Sequence, residues 1–379
     1  MNEQMLCYLE GCQEELKQLI RDLCAIPAPS HHEEKRAEFC KAWFDNNGFQ
    51  NVYIDEALNV IAPHHVGADD PITVIMAHTD TVFPDLEPLP FSEDEDTFYC
   101  PAVGDDTANL AIMMICARYF VQQDILCKTG MLFVANSCEE GLGNLKGSRA
   151  IAKAYGHRVK EWISFDGNRL DEMVNQAVGS HRYQVTVRTE GGHSFGSFGN
   201  RNAIAVMSSM ISTLYSVKVP KVGDSKTTYN VGTISGGTSV NTIAQEATML
   251  FEYRSDNVTC LEKMEDLFQK VLAAYEATGV EVEVQLVGER PCAKDVDPQA
   301  QQALEQKAEA CIRRICGKGA VCESGSTDCN IPLSLGIPSI CMGIVEYSGA
   351  HTREEKLFLR SLLPGSQLCM DFLCQYIGE

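Results

Sequence analysis

The stretch Thr73-Val74-Ile75-Met76-Ala77-His78-Thr79-Asp80-Thr81-Val82 decides how the rest of the chain is read. A short apolar, β-prone run feeds into His-x-Asp, the pattern of a buried strand that stops in a polar cluster. In open α/β sheets, ligands collect at the carboxyl ends of strands. An imidazole followed two residues later by a carboxylate is a common pairing of a metal ligand with the group that orients it, so His78 would bind an ion and Asp80 would hold its ring. A satisfied core histidine would look the same in isolation, and the weight falls on what other strand ends supply.

Downstream the pattern recurs. Gly104-Asp105-Asp106-Thr107-Ala108-Asn109 runs into an apolar helix expected over 108–120. Acids suit a helix entrance because of the helix dipole; the functional alternative is that one carboxylate points back at His78 and bridges two cations. The strand expected over 130–136 ends in Ser137-Cys138-Glu139-Glu140-Gly141. Adjacent carboxylates in a partly dry site repel unless a proton or cation separates them, although a solvated loop would also hold them. A strand over 161–165 ends in Asp166-Gly167, and Ser339-Ile340-Cys341-Met342-Gly343 leads to Gly349-Ala350-His351, a second imidazole.

A chain of 379 residues exceeds one ordinary core and predicts two domains. Its formal charge of −21, from 52 acidic and 31 basic residues, argues against nucleic acid or an anionic membrane as partner. The start, Met1-Asn2-Glu3-Gln4-Met5-Leu6, lacks a basic stretch followed by an apolar core, and no apolar run reaches spanning length, so a cytoplasmic location is expected. The 17 cysteines are scattered through apolar stretches without a Cys-x-x-Cys, which reads as small buried hydrophobes rather than disulfides or thiolate zinc sites. No glycine-rich phosphate loop is present.

Periodicity predicts one helix over 5–23 and a second over 33–46 closed by Gly48, with Ser30 and Glu33 as a capping box. His31, His32, His64 and His65 read as solvated. Short strands are expected over 52–54 and 59–62. Strand, helix and strand in alternation predict a mostly parallel sheet flanked by helices, an α/β fold. Between 181 and 289 the pattern changes to strands over 182–188, 232–234, 247–254 and 280–287 with helices over 203–215 and 261–278. That is an α+β insert of four antiparallel strands covered on one face by two helices, dividing the chain into 1–180 with 290–379 and an inserted 181–289.

Taken together, His78-x-Asp80, Gly104-Asp105, Glu139-Glu140-Gly141, Asp166-Gly167, Gly192-His193-Ser194 and the late His351 resemble the co-catalytic di-zinc metallopeptidases. That family includes peptidase T, dipeptidases, glutamate carboxypeptidase, aminoacylase, acetylornithine deacetylase and succinyl-diaminopimelate desuccinylase. The resemblance extends to Ile26-Pro27-Ala28-Pro29-Ser30 and Ser326-Thr327-Asp328-Cys329-Asn330, and departs at Thr107 and Asn109, where members often carry Lys and Gly. It implies that His78, Asp105 and Asp166 hold one zinc and Asp105, Glu140 and His351 the other, with cobalt or manganese able to replace zinc. It further implies Asp80 as the partner of His78, Glu139 as general base, a cis Asp105-Asp106 peptide and a zinc-exopeptidase-like catalytic domain. The insert would be a lid that pairs two subunits, with His193 stabilising the oxyanion and Asn241 and Arg254 contacting substrate. Asp166, where deacylases and carboxypeptidases tend to carry Glu, points to an aminopeptidase acting on short peptides. An N-acyl-amino-acid deacylase or carboxypeptidase is the alternative enzyme, and a catalytically silent metal- or peptide-binding relative the alternative from another class.

Overall fold

The computed structural model describes residues 1–378. They form two units, Met1–Ala177 with the chain from Lys294 onward, and Val178–Ala293.

The first unit is built on an eight-stranded sheet in the order Tyr53–Ile54, Val60–His64, Gly130–Asn136, Ile72–His78, Val159–Phe165, Ser339–Met342, Glu172–Ala177, Val321–Gly325. Ile72–His78 runs parallel to both of its neighbours, and Ser339–Met342 runs parallel to Val159–Phe165. Parallel pairing places these carboxyl ends along one edge, so the residues after His78, Asn136, Phe165 and Met342 emerge side by side. Every residue of Ile72–His78 and Gly130–Asn136 is buried, which is why both strands read as apolar runs without alternation. Antiparallel pairing at Val60–His64 and between Glu172–Ala177 and Ser339–Met342 makes the sheet mixed.

The helix Asn109–Gln122 is buried from Asn109 through Phe120, and Leu362–Leu373 packs against it. Gly365 lets Leu362–Leu373 lie against the chain at Ile344, since a Cβ there would be 1.7 Å from the Ile344 carbonyl oxygen. A separate small antiparallel sheet joins Tyr347–Ser348, Lys356–Phe358, Thr97–Tyr99 and Ser92–Glu93. It brings the chain entering 100–105 beside the loop at 349–355.

Three local expectations need correction. The helix expected over 5–23 is two, Glu3–Gly11 and Gln13–Cys24, meeting at Cys12; the apolar period runs on because both bury their faces in one core, with Met5, Leu9, Leu16, Leu19 and Leu23. Ser30 caps nothing: Glu33 occupies the N-cap of Glu34–Asn46 without a side-chain cap bond. His64 is buried rather than solvated, its Nε2 2.8 Å from the Ile125 carbonyl oxygen. The cysteines are free and mostly buried, and among the described residues no helix is long and apolar enough to cross a membrane.

In the second unit the sheet order is Thr227–Gly236, Glu246–Ser255, Gly179–Arg188, Glu281–Arg290, all antiparallel. Glu246–Ser255 alternates in burial, with Ala247, Met249, Phe251 and Tyr253 inward. They pack on the helices Ala203–Tyr215 and Val258–Glu276. Asn202 and Asn257 cap these helices by accepting backbone N–H bonds.

Candidate metal centre

His78 ends its strand with Nδ1 3.0 Å from the Asp80 carbonyl oxygen and Nε2 3.1 Å from Asp105 Oδ1. An imidazole that donates through Nδ1 turns its Nε2 lone pair outward, the form in which it binds a cation. The other oxygen of Asp105, Oδ2, lies 3.2 Å from His351 Nε2, which is also 3.2 Å from Glu140 Oε1. One carboxylate therefore faces two imidazoles, one oxygen to each.

Asp80 fixes the adjacent turn. Its Oδ1 accepts from the Glu139 N–H at 2.9 Å and its Oδ2 from the Glu140 N–H at 2.9 Å and the Ser30 hydroxyl at 2.6 Å. The ring of His78 stands 3.4 Å from Asp80 Oδ1, so one buried carboxylate ties the end of Ile72–His78 to the two glutamates. Glu33 holds the same turn from behind by accepting from the Cys138 N–H at 3.0 Å. Cys138 and His351 both take left-handed backbone conformations, with φ of 56° and 61°, at a cost of about 1 kcal/mol each.

Both acids of the Asp105-Asp106 pair turn toward His78. Asp106 Oδ2 accepts from the His78 backbone N–H at 2.8 Å, and the Asp105-Asp106 peptide is cis, as the family resemblance implied. Ligand atoms of His78, Asp106 and Asp166 lie within 4.8 Å of one another, and so do those of His78, Asp105 and Glu140. Asp106 uses one oxygen on the His78 backbone, whereas Asp105 presents both of its oxygens to imidazoles.

The donor set fits cations. Asp105 Oδ1 and an outward-facing Nε2 lone pair cannot sit 3.1 Å apart without a proton or cation between them. The spacing matches donors about 2.0–2.2 Å from a shared ion. Asp106 Oδ1 is buried without a hydrogen bond, and Glu140 Oε1 is met by His351 Nε2 at 3.2 Å. Burial pushes Glu140 up to about 7 and Asp166 well above the usual carboxylate range, with Asp105 adding like-charge repulsion. Burial opposes charge on His78, yet Asp106, Asp105 and Asp80 together hold its ring well above the ordinary range. Hydrogen bonds to Asp105 and Glu140 push His351 up to about 11. Such a site holds protons until cations replace them.

Several groups that shape the centre were not singled out from sequence. Glu355 is buried and accepts from the backbone N–H groups of Ala102 at 3.0 Å, Gly104 at 2.7 Å and Asp105 at 3.0 Å, so it clamps the loop that presents Asp105. Asp328 accepts from Asn136 Nδ2 at 2.6 Å and Ser148 Oγ at 2.5 Å, bracing the strand end that precedes Glu139. Asn109 donates to the carbonyls of Gly104 and Gly167 at 3.3 and 3.4 Å, tying the Asp105 loop to the Asp166 loop. Arg36 donates to the Thr79 carbonyl at 2.9 Å and the Ile26 carbonyl at 2.7 Å. The available signal was weak: Asp328 lies in a segment noted only as a match, and Glu355 reads as one of two surface acids.

The loop is also closely packed. At Gly104 a Cβ would meet Tyr347 at 2.1 Å from Cγ and 2.5 Å from Cβ, and Tyr347 is buried. Gly104→Ala is expected to cost about 1–3 kcal/mol of stability and to displace Asp105. Chemical denaturation and metal content measured together would check this, and a variant of unchanged stability and metal content would refute it.

In the second unit, His193 and Asn241 lie together. Gly192–His193 pairs with Thr242–Ile243, and the Ser194 N–H donates to the Asn241 carbonyl at 2.9 Å. His193 is exposed and accepts at Nδ1 from the N–H groups of Phe195 and Gly196 at 3.3 and 3.2 Å. Arg254 pairs with Glu252 at 3.0 Å.

The model of peptidase family M20/M25/M40 matches residues 74–375. The succinyl-diaminopimelate desuccinylase of Corynebacterium glutamicum is 24% identical over 373 residues, covering 95% of each chain. Among solved structures, a tripeptidase from Staphylococcus aureus superposes with a TM-score of 0.75 at 22% identity, covering 95% of this chain and 97% of that one. The YxeP protein of Bacillus subtilis, described as a dinuclear metal-binding peptidase, superposes with a TM-score of 0.64 at 17% identity, covering 96% and 98%.

Proposed function

The chain belongs to peptidase family M20/M25/M40 and is a hydrolytic enzyme, and from that premise we propose that it is a two-metal aminopeptidase acting on short peptides. The observation that carries this reading is the placement of Asp105 between His78 at 3.1 Å and His351 at 3.2 Å. His78, Asp105 and Asp166 would hold one cation and Asp105, Glu140 and His351 the other. Imidazole and carboxylate donors suit zinc, with cobalt or manganese as substitutes. Bound there, such cations polarise an amide carbonyl and make water nucleophilic near neutral pH.

The chain's own groups do the rest. Glu139 sits next to the ligand Glu140 on a turn pinned by Asp80. It takes the proton of the attacking water and delivers it to the leaving amine. Asp80 keeps the His78 ring oriented. The segment 181–289 acts as a lid, in which His193 stabilises the developing oxyanion and Asn241 and Arg254 contact the substrate. The edge strand Thr227–Gly236 is largely exposed, with Ile234 52% accessible, and supplies the surface for a homodimer. The cytoplasm is the compartment this reading assumes.

An N-acyl-amino-acid deacylase is the second reading, favoured by the full-length match to a desuccinylase. Hydrolysis of free-amine tripeptides and of N-acetyl and N-succinyl amino acids by the metal-loaded protein separates them. Activity confined to blocked substrates would end the aminopeptidase reading, and activity on neither would leave a silent binding relative.

Metal uptake carries its own prediction. In the metal-free site the His351 proton is held up to about 11 by Asp105 and Glu140, so it is present at neutral pH and must leave as a cation enters. Because the folded value lies above the ordinary one, the proton's stabilising contribution is complete below the ordinary histidine range and is lost as pH rises toward 11. Affinity should rise about tenfold per pH unit for each proton displaced between about pH 6 and 8. Calorimetry in buffers of differing ionisation enthalpy measures the release, and a pH-independent affinity would contradict it.

A further inference from the structure

Next to the Glu139-Glu140 turn, within the first unit, lies a cavity of about 420 Å³ that the mechanism above does not use. Its walls are three loops, at 29–32, 81–86 and 141–143. The loops are fixed to one another. The Thr81 N–H donates to the Ala28 carbonyl at 2.8 Å, Pro29 bridges to Thr81 in parallel, and His31 Nε2 lies 3.4 Å from the Leu142 carbonyl oxygen. Ser30, on the cavity wall, donates to Asp80 at 2.6 Å. The cavity is thus formed before any ligand arrives.

Two observations place it against the reacting centre. Thr81 and Gly141, both on its wall, directly follow Asp80 and Glu140, about 3.8 Å away along the chain. Phe83, also on the wall, carries the Arg353 guanidinium 4.7 Å over its ring, and Arg353 stands two residues beyond His351. The cavity therefore borders the Glu140 segment, and Phe83 on its wall contacts Arg353 of the His351 segment. Its lining is largely apolar, from Val82, Phe83, Leu86 and Leu142; the imidazoles of His31 and His32 share the wall, and among the described lining residues there is no carboxylate, ammonium or guanidinium group. Leu86 and Leu142 are 62% and 61% accessible, large apolar side chains left in water at the rim of a preformed cavity. A cavity of this size accommodates a residue-sized apolar group, and an ammonium group entering it would lose its hydration with no carboxylate on the wall to compensate.

We propose that this cavity is a specificity pocket that takes the large apolar side chain of the residue next to the cleaved amide bond. The enzyme then prefers Leu, Met or Phe there over Ala, and rejects Lys. This rests on the aminopeptidase reading, in which that residue carries the scissile carbonyl.

The test uses the metal-loaded protein with Xaa-Gly-Gly tripeptides, where Xaa is Leu, Ala or Lys. The kcat/KM for Leu should exceed that for Ala by about 100-fold. Leu142→Asp, at an exposed position that folding tolerates, should cut that ratio at least about tenfold and raise the relative rate with Lys as Xaa. Leu126→Asp, equally exposed and outside the cavity, should leave the ratio intact. A Leu to Ala ratio below about threefold, or one that Leu142→Asp does not change, would overturn the pocket. If none of the tripeptides is hydrolysed, the aminopeptidase reading fails instead. The pocket is then judged by calorimetric binding of Leu-Gly-Gly against Ala-Gly-Gly to the metal-loaded protein, where equal affinities would overturn it as well.

Discussion

Glu139→Gln is expected to retain both cations and lose about 10²- to 10⁴-fold in kcat. The substitution keeps the side chain's volume and its capacity to accept a hydrogen bond, and removes the carboxylate proposed to take and return a proton. The turn itself should survive, because the backbone N–H groups of Glu139 and Glu140 donate to Asp80. Metal analysis of the purified variant beside its steady-state rate distinguishes the two effects. Full metal content with an unchanged rate would remove Glu139 from proton transfer, and loss of metal as the main effect would make it a ligand.

Asp105→Asn is expected to behave differently: metal content should fall from two ions toward one or none, and activity by more than about 10³-fold, as expected when the shared anionic ligand of a two-metal site is lost. An amide offers one weaker donor oxygen in place of a charged carboxylate facing His78 and His351 at 3.1 and 3.2 Å. In the metal-free state the same change deprives His351 of the first of the two partners that hold its proton, so its titration should move down from about 11, which NMR of the imidazole would record. A variant that still binds two ions with wild-type affinity would show that Asp105 does not bridge. The Glu139 and Asp105 results together separate proton transfer from metal holding.

Much of this architecture was legible because apolar periodicity is local. The strand behind His78 and those before Glu139, Asp166 and Gly343 are short apolar runs with a polar stop, and their parallel pairing follows from the helices between them. The alternation over 247–254 foretold one face on helices and one open, as Glu246–Ser255 has. Where burial rather than periodicity decided, the reading went astray: the continuous pattern across Cys12 hid a break between two helices, and His64 looked like a surface residue although its ring is buried.

By itself the sequence determined the fold class, the family and the order in which acids and imidazoles leave the sheet, because these depend on residue type and spacing along the chain. Only the tertiary structure decided who meets whom at the centre. Ser30 turns to Asp80 instead of capping a helix, and Glu355 reaches back 250 residues to the Asp105 N–H. Both Asp105 and Asp106 face His78, and an apolar cavity opens beside Glu140. Such contacts join segments far apart in the chain, and a buried acid that accepts three backbone bonds has the same letter as one solvated on the surface.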